Sequence, residues 1–389
     1  MQKIYKIGVI GLGDISTVYL NNLNKYPQYV ELYGCACRSL EKAEQKARQF
    51  GFKKAYASGE ALIADPEVDV VMNLTTPAMH YHYNIEAIRH GKHVYSEKPF
   101  AATFREAKEV LDLAREKGLY CGCAPDTFMG GRIQAMKQLM DEGKLGKVVG
   151  GSAFMMCKGW EWFHPSPDFY YQPGGGPLLD MGPYYLHCLL SLLGPADSVC
   201  AMATCGDEVR EIASGARKGE KIQVDPSVYT HILSNIHFKN GALVTLNVSF
   251  DVWDSTLPRL ELYGSKGTLA MAEPDPCDGP NIYGGQLWFR GQAQSRWLHM
   301  PRLEADLQSD WIQVPVEGPF NQTGQAENSR GIGLVDMVLA FEEGRPNRAS
   351  GDMATHALEI MEGILTSARE KRFVEIKTDF QVPEAFQGF

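Results

Sequence analysis

The amino-terminal part of the chain has a glycine-rich turn between a strand pattern and a helix pattern. Residues 4–10 are rich in Ile and Val, and Gly11-Leu12-Gly13-Asp14-Ile15-Ser16 follows directly. In a turn of this kind, Gly11 permits the sharp bend and Gly13 lets a pyrophosphate approach the backbone where the helix begins. We therefore predict a dinucleotide site that includes Gly11, Gly13, Asp14 and Ile15.

The first 125 residues alternate short β-rich runs with helical patterns. The predicted strands lie at residues 4–10, 31–35, 70–74, 93–96 and 120–123, and the predicted helices near residues 15–25, 40–50, 81–90 and 104–117. This alternation is typical of a doubly wound parallel sheet. We predict an α/β fold with a dinucleotide-binding Rossmann domain over residues 1–125.

The pattern changes after residue 125. Alternating apolar runs predict further strands, and Lys239-Asn240-Gly241 is a strong hairpin turn between two of them. Strands joined by tight turns favour an antiparallel sheet with one buried face. We expect a second, α+β domain over residues 126–389, whose last helix, at about 353–371, packs back on the first domain. Residues 275–311 show no regular pattern.

The composition is that of a soluble globular protein. The chain has 389 residues, 44% of them hydrophobic and 22% charged, which fits two domains. A formal net charge of −9 argues against nucleic acid or an anionic membrane as a partner. No apolar stretch is long enough to predict a membrane span, and we expect no signal peptide. The nine cysteines fit no standard zinc spacing, which favours reduced thiols, a cytoplasmic location and no metal site.

A lysine followed by a proline stands at the end of a later strand of the same predicted sheet. Glu97-Lys98-Pro99 comes directly after the strand pattern at 93–96. Ligands of open α/β sheets bind outside the carboxyl ends of the strands, so Lys98 can reach a reacting hydroxyl beside a bound cofactor. Pro99 locks its own φ and favours an extended Lys98, which gives the lysine side chain a rigid stem.

The end of the second predicted strand carries a cation instead of an acid. An acidic residue here normally binds the ribose 2′-hydroxyl of NAD, but the sequence reads Ala36-Cys37-Arg38-Ser39. Arg38 and Ser39 suit a 2′-phosphate, because a guanidinium offers a planar fork to phosphate oxygens. Alternatively, Arg38 is solvated and Ser39 only caps the next helix. We favour NADP over NAD as the NAD(P) cofactor.

Four motifs, in order along the chain, resemble those of the Gfo/Idh/MocA family (glucose–fructose oxidoreductase, inositol dehydrogenase, rhizopine catabolism). They are Val9-Ile10-Gly11-Leu12-Gly13, Thr75-Thr76-Pro77 with His80, Gly91-Lys92-His93-Val94 running into Glu97-Lys98-Pro99, and Gly174-Gly175-Gly176-Pro177-Leu178-Leu179-Asp180-Met181-Gly182. The resemblance implies a Rossmann domain followed by an α+β domain with a large open-faced, mainly antiparallel sheet that often makes oligomer contacts. It also implies a sugar, a polyol or a derivative as substrate.

The resemblance implies roles for individual residues. Lys98 would hydrogen-bond the reacting hydroxyl or carbonyl, Glu97 would lie near the nicotinamide ribose, and Asp180 would contact the substrate. The residues implied to line the cofactor cleft are Thr75, Thr76, Pro77 and His80.

The residue that exchanges the proton departs from the family pattern. The family usually has a histidine after the Asp180 motif, whereas the matching positions here are Tyr184 and His187. At a spacing of i, i+4 and i+7, Asp180, Tyr184 and His187 share one helix face. Register favours Tyr184, whose ordinary pKa of about 10 nearby cations would lower, and the near-neutral ordinary pKa of histidine favours His187. We favour Tyr184 and keep His187 as the alternative.

An aromatic segment precedes the Gly174 motif. The run Trp160-Glu161-Trp162-Phe163-His164 places aromatic faces beside polar groups, which suits a carbohydrate ring. We predict Trp160, Trp162 and His164 as substrate-binding residues, with a packed loop or a subunit contact as the alternative. Asp126, at the carboxyl edge of the predicted sheet, is a further candidate.

These features predict a cytoplasmic NAD(P)-dependent oxidoreductase that acts on a secondary alcohol or carbonyl of a sugar, cyclitol or glycoside. We expect a homo-oligomer, a dimer or tetramer. One alternative is a redox-neutral enzyme that cleaves or isomerises a glycoside through a keto-sugar, with a tightly bound cofactor that is oxidised and re-reduced. Another is a nucleotide-binding regulator without activity, against which the joint presence of Lys98 and Asp180 speaks.

Overall fold

The computed structural model describes residues 3–272, 282, 284–291, 311–317, 320 and 329–389. The chain divides into two compact units. The first comprises Met1–Met129, Gly324–Glu359 and Thr378–Glu384, and the second comprises Gly130–Thr323, Ile360–Lys377 and Ala385–Phe389. Most of the irregular 275–311 segment lies outside the described residues.

The first unit contains a parallel six-stranded sheet. Its elements in chain order are β1 (Tyr5–Ile10), α1 (Asp14–Leu23), β2 (Val30–Ala36), α2 (Leu40–Phe50), β3 (Lys54–Tyr56), α3 (Gly59–Ile63), β4 (Val70–Asn73), α4 (Pro77–Arg89), β5 (His93–Ser96), α5 (Phe104–Glu116) and β6 (Cys121–Cys123). The strand order is β3-β2-β1-β4-β5-β6, with all pairs parallel. This is the strand order of a Rossmann fold, in which β2 and β3 lie on one side of β1 and β4 to β6 on the other. The prediction of this fold is therefore confirmed.

Local signals in the sequence explain most of the helix boundaries in this unit. Thr103 and Glu106 form a reciprocal capping box at the start of α5. The side chain of Ser39 accepts a hydrogen bond from the Lys42 amide at the start of α2. The short elements β3 and α3 were not predicted, because three to five residues are too few to display a hydrophobic period.

The second unit contains a nine-stranded, mainly antiparallel sheet. In chain order, its elements are α6 (Gly131–Asp141), β7 (Val148–Met156), α7 (Pro177–Leu193), β8 (Ala196–Thr204), β9 (Val209–Glu211), β10 (Lys221–Gln223), β11 (His231–Phe238), β12 (Leu243–Ser249), β13 (Leu260–Gly264), β14 (Gly267–Met271), β15 (Leu287–Gly291), β16 (Ile312–Val314) and β17 (Val374–Glu375). The strand order is β16-β15-β14-β13-β7-β12-β11-β8-β17, while β9 and β10 form a separate two-stranded hairpin. Among the strand pairs described in this sheet, only β7 with β12 is parallel.

This sheet has one covered face and one open face, as the alternating pattern predicted. Along β11, Ile232, Ser234 and Ile236 are buried, whereas Leu233 and Asn235 are exposed. Helix α7 packs against β7, β11 and β12. The covered face therefore lies under the helix that carries Asp180, Tyr184 and His187.

Two further helices lie between residues 332 and 370. Helix α8 (Ile332–Glu343) belongs to the first unit, and α9 (Gly351–Glu370) contributes residues up to Glu359 to the first unit and the remainder to the second. Among the residues that the structure describes, no helix has the length and apolar character needed to cross a membrane.

Candidate functional site

The turn after β1 leaves the amino terminus of α1 open. Gly11 has a φ of 96°, and an added Cβ there would lie 2.5 Å from the carbonyl oxygen of Leu74. At Gly13, by contrast, an added Cβ would meet nothing within 4 Å. The Ser16 hydroxyl donates to the Gly13 carbonyl at 2.6 Å. Gly11 is thus required by close packing against the end of β4, and Gly13 leaves space where helix amides favour an anion.

A cleft of about 780 Å³ opens beside this turn, entirely within the first unit. Six of the predicted cofactor residues line it, namely Gly11, Gly13, Arg38, Ser39, Thr75 and Thr76. The other lining residues include four that the sequence did not point out, Ser58, Gly59, Met79 and Tyr83. The predicted cofactor residues that do not line it are Asp14, Ile15, Pro77, His80, Glu97 and Lys98. We call this space the cofactor cleft.

The cofactor cleft is cationic where the residues that follow β2 line it. Among the described residues that line it, two are basic, Arg38 and Lys42, and none is acidic. The Arg38 side chain is exposed and makes no hydrogen bond or ion pair within the described part of the chain. The Ser39 hydroxyl accepts the Lys42 amide at 3.3 Å, so the capping role is present. These residues fit a nucleotide whose adenosine end carries negative charge.

The backbone before Lys98 is held by Glu97. The Glu97 amide donates to the Asn73 carbonyl at 2.8 Å. The buried Glu97 carboxylate accepts from the Tyr19 hydroxyl at 2.7 Å and from the Lys98 amide at 2.6 Å. Both carboxylate oxygens therefore have partners within the first unit, and they fix the start of the lysine's stem. The Lys98–Pro99 peptide is cis.

The backbone after Lys98 is held by two side chains of α4. The ring of the buried His80 has Nδ1 2.6 Å from the Pro99 carbonyl oxygen and Nε2 3.0 Å from the Thr75 carbonyl oxygen. Burial lowers the pKa of His80. The hydrogen bonds to those two carbonyls act in the opposite direction and offset part of the lowering. The Asn84 amide donates to the Phe100 carbonyl at 3.1 Å. His80 thus braces the stem of Lys98 instead of lining the cleft.

Asn73 and Asn84 are residues that sequence reasoning missed. The Asn73 amide donates to Asn84 Oδ1 at 2.9 Å and to the His80 carbonyl at 3.2 Å. Both asparagines are fully buried. An asparagine closing an otherwise apolar strand was the available signal, because a buried amide needs partners. Together with His80 they join the end of β4 to the segment that carries Lys98.

Asp126 has the contacts of a structural anchor in the first unit. One oxygen of its fully buried carboxylate accepts from the Gly331 amide at 2.7 Å, the Gly333 amide at 2.9 Å and the Tyr95 hydroxyl at 2.9 Å. Burial raises the pKa of Asp126 to about 6, against the lowering effect of these donors. The structure brings the carboxylate to the start of α8, where it joins two elements of the first unit.

In the second unit, two predicted substrate residues meet. Asp180 lies in the first turn of α7, and its Oδ2 accepts from the indole Nε1–H of Trp160 at 2.6 Å. The sequence predicted both residues separately, and the structure joins them. A hydrogen bond from an indole to a carboxylate fixes the direction of both side chains.

The two candidate proton-exchanging residues lie further along α7. Tyr184 and His187 are both buried. Nδ1 of His187 lies 2.8 Å from the Pro183 carbonyl oxygen, which accepts a hydrogen bond from the Nδ1–H. Burial lowers the pKa of His187 to about 4. His187 is therefore uncharged near neutral pH, with its Nδ1–H committed to its own helix.

The aromatic loop, residues 159–176, packs around Trp160. The Trp160 ring contacts Phe163, Tyr170 and Phe250, with centroids 5.4, 6.4 and 5.7 Å away. His164 joins the same cluster at 5.5 Å from the Tyr170 ring. Trp162 points elsewhere, stands about half exposed and makes an edge contact of 5.6 Å with Trp253.

Comparison with known proteins identifies both halves of this architecture. Residues 5–124 match the family described as an oxidoreductase family with an NAD-binding Rossmann fold, and residues 133–270 match the Gfo/Idh/MocA carboxy-terminal domain. The chain belongs to the Gfo/Idh/MocA family. It is therefore an oxidoreductase with a nicotinamide-dinucleotide fold, and the resemblance of its motifs to this family is confirmed.

Three relatives of this chain share a third or less of its residues over the matched regions. It is 31% identical over 202 residues to an uncharacterized oxidoreductase of Schizosaccharomyces pombe, a match that covers 50% of the chain and about half, 53%, of that protein. It is 29% identical over 270 residues to 1,5-anhydro-D-fructose reductase of Ensifer adhaerens, covering 65% of the chain and 77% of that enzyme. A structure of levoglucosan dehydrogenase in complex with NADH superposes with a TM-score of 0.79 over 97% of this chain and 100% of that one, at 20% identity. The last comparison shows the fold alone.

Proposed function

We propose that this oxidoreductase transfers hydride between NAD(P) and a secondary alcohol or carbonyl of a sugar, cyclitol or glycoside. The observation that carries the proposal is the bracing of Lys98. Its backbone is hydrogen-bonded on both sides, through Glu97 before it and through His80 and Asn84 after it. A cation on a rigid stem at the carboxyl edge of a Rossmann sheet suits the polarisation of a reacting oxygen.

The proposed chemistry assigns one task to each residue. When bound in the cofactor cleft, the nicotinamide supplies or accepts the hydride. Lys98 hydrogen-bonds the oxygen of the reacting carbon and stabilises the negative charge that develops on it. The Tyr184 phenolate takes the hydroxyl proton during oxidation and becomes the phenol, which returns the proton during reduction. Asp180 contacts a further hydroxyl of the substrate and so orients the ring.

Tyr184 is preferred over His187 for a physical reason. The fully buried His187 has a lowered pKa, and its Nδ1–H is already bonded to the Pro183 carbonyl. A general acid–base group works best with a pKa near the working pH, and a pKa of about 4 is far from it. We therefore propose that His187 supports α7 and that Tyr184 exchanges the proton.

We further propose that NADP is preferred to NAD. Arg38 and Lys42 line the cofactor cleft, and none of its described lining residues is acidic. A carboxylate at this position would accept the ribose 2′-hydroxyl of NAD but would repel a 2′-phosphate. Two cations favour the phosphate instead.

The relatives support the class of substrate. The name of the Ensifer enzyme is that of a reductase of an anhydro-sugar, and the superposed structure is of a levoglucosan dehydrogenase. In this chain the aromatic loop next to Asp180 supplies ring faces and polar groups together, which is the usual composition of a sugar-binding surface.

The open sheet face supports a homo-oligomer. Leu233 and Met202 are directly paired across β11 and β8, and both side chains are exposed, as is Leu243 on β12. An apolar patch that spans neighbouring strands favours association with a second copy. Light scattering coupled to size-exclusion chromatography measures the mass, and Met202→Asp should lower it if this face is the contact.

The proposed function is tested with purified protein, NAD or NADP, and a panel of sugars, cyclitols and glycosides, by following the absorbance of reduced nicotinamide. Lys98→Met should lower kcat/KM on the order of 10²–10⁴-fold with unchanged nucleotide affinity. Lys108→Met, at an exposed lysine of the same unit, is the matched control. Full turnover by Lys98→Met would contradict the mechanism, and glycoside turnover without added nucleotide would indicate the redox-neutral alternative.

A further inference from the structure

We propose that Glu161 and Arg210 are positioning residues, which hold Trp160 so that its indole N–H orients the carboxylate of Asp180. The inference rests on the proposed function in one respect, that Asp180 contacts the substrate. All of the residues concerned lie in the second unit. None of the motifs in the sequence pointed to Arg210.

Arg210 is a buried cation at the centre of β9, in the hairpin that β9 and β10 form. Its Nε donates to Glu161 Oε1 at 2.8 Å, and its Nη1 donates to Asp251 Oδ1 at 2.6 Å. Its Nη2 donates to the carbonyls of Lys158 and Phe250, both at 2.7 Å. The guanidinium therefore joins both ends of the Trp160 segment, at Lys158 and Glu161, to the end of β12.

Glu161 is held from three directions. Besides the bond from Arg210, its Oε2 accepts a hydrogen bond from the hydroxyl of the buried Tyr171, and its backbone carbonyl accepts one from the Ala213 amide at 3.0 Å. The Arg210 guanidinium also stacks on the Tyr171 ring, 5.2 Å from its centroid. The backbone of the residue that follows Trp160 is thereby fixed to the hairpin.

The residue before Trp160 is equally constrained. Gly159 has a φ of 92°, and an added Cβ there would lie 2.9 Å from Arg210 Nη2. With both neighbours held, the position of the Trp160 backbone follows from this network. The indole then reaches Asp180 Oδ2 at 2.6 Å, across 20 residues of sequence. Groups that touch substrate are effective only when supporting contacts hold their rotamers.

Stability alone gives a poor account of the pair. A buried ion pair is often no more stabilising than apolar side chains of the same size, because both charges lose their water. The same hairpin is also tied to the aromatic loop by a half-buried bidentate pair, Arg217 with Asp168, at 2.5 and 3.0 Å. Among the described residues, Arg217 makes its hydrogen bonds and ion pairs to Asp168 and Glu220 and none to the Trp160 segment, so it provides an internal control.

The kinetic experiment compares the double variant Glu161→Gln/Arg210→Met with Arg217→Ala. The double variant removes the charges of Glu161 and Arg210 together, so neither of these two is left buried without the other. Asp251 loses Arg210 but keeps the Gly206 amide and the Thr230 hydroxyl as donors. We expect kcat/KM for the sugar to fall by about ten- to a hundredfold, mainly through KM, with the KM for nucleotide unchanged. Trp160→Phe should have the same signature, and combining it with the double variant should add little further loss, because both act through one hydrogen bond. Additive losses would overturn the proposal.

A second measurement does not depend on turnover. In protein labelled with 15N-tryptophan, the chain's six tryptophans each give one indole N–H signal, and Trp160→Phe assigns the signal of Trp160. The Glu161→Gln variant, a milder change, should shift this signal and accelerate its exchange with solvent, and Arg217→Ala should not. An unmoved signal would refute the positioning role. A moved signal with no sugar turnover in any protein, including the unaltered one, would refute the proposed function alone.

Discussion

The cofactor cleft of the first unit and the aromatic loop of the second are built in different ways. The cleft uses backbone from short contiguous motifs, such as Gly11 to Gly13 between β1 and α1. The loop depends on side chains that are distant in sequence, as when Arg210 binds Glu161 across 49 residues. Backbone amides recognise a phosphate whichever residues surround them, whereas a sugar is recognised by particular side chains.

Because of this difference, the first region is suited to binding a dinucleotide and the second to recognising a particular substrate. A glycine-rich turn at a helix amino terminus selects for a dinucleotide as a class, and it needs few residues to do so. The aromatic loop positions Trp160 against Asp180 through a network that includes the β9–β10 hairpin. Changes in that hairpin can therefore alter substrate recognition without touching the cofactor cleft. The following predictions test that separation.

The largest effect is expected at the proton-exchanging residue. Tyr184→Phe removes only the hydroxyl and keeps the buried ring, so turnover should fall on the order of 10²–10⁴-fold while nucleotide affinity is unchanged. Single-turnover reduction of bound nucleotide by the preferred sugar measures this. Tyr185→Phe is the matched control, since Tyr185 is the next residue of α7 and its hydroxyl donates to the Phe154 carbonyl of β7. Equal losses in the two variants would contradict the assignment.

The sheet of the first unit and the helices within residues 1–125 could be predicted from the sequence almost completely, whereas α8, which belongs to the same unit, was not predicted. Within residues 1–125, each long helix and each of the five predicted strands has a local signal, such as the Thr103 capping box or the apolar run that becomes β4. The two short elements β3 and α3 had no such signal. In the second unit, the parallel pairing of β7 with β12 also escaped prediction, because it joins strands that are far apart in sequence.

The site could be predicted only where chemistry and a local motif coincide. Recognisable sequence motifs contain Lys98, Asp180 and Trp160. The sequence predicted a substrate-binding role for Trp160 and for Asp180 separately, but not the hydrogen bond between them. Asn84 and Arg210 have no motif. Their importance arises from burial and from partners on other elements. Neither the hydrophobic period of the sequence nor the spacing of its motifs carries that information.

A smaller effect is expected at the cationic end of the cofactor cleft. Arg38→Ala should weaken NADP by about ten- to a hundredfold and leave NAD nearly unchanged, because only the 2′-phosphate would lose a charged hydrogen bond. Fluorescence titration with the two reduced cofactors measures both affinities. Arg48→Ala, in the last turn of α2, is the control for a change in net charge. An equal loss for both cofactors would argue against a 2′-phosphate contact.

The glycines of the second unit give a matched pair. Gly159 and Gly215 both have a positive φ, of 92° and 75°, so alanine strains the backbone at each. At Gly215 an added Cβ meets nothing within 4 Å, whereas at Gly159 it meets the Arg210 network. We expect Gly159→Ala to lose about 1–3 kcal/mol more free energy of unfolding than Gly215→Ala, as overpacking typically costs. Urea denaturation measures the difference, and equal losses would show that the network yields easily.

The smallest effect concerns His187 and pH. Its folded pKa of about 4 lies below the ordinary histidine value of about 6.5, so the unfolded chain binds the proton more tightly. This contribution to stability is complete above about pH 6.5 and is lost as pH falls toward 4. From pH 7 to pH 5, the protein should lose about 1–2 kcal/mol more stability than His187→Gln does.

Urea denaturation at the two pH values tests this, with His237→Gln as the control. His237 is a partly exposed histidine of the same unit, paired with Asp197 at 3.1 Å. If His187 instead exchanged the proton, His187→Gln would lose turnover as severely as Tyr184→Phe. Retained turnover with reduced acid sensitivity would assign His187 to the support of α7, and would leave Tyr184 as the acid–base partner of Lys98.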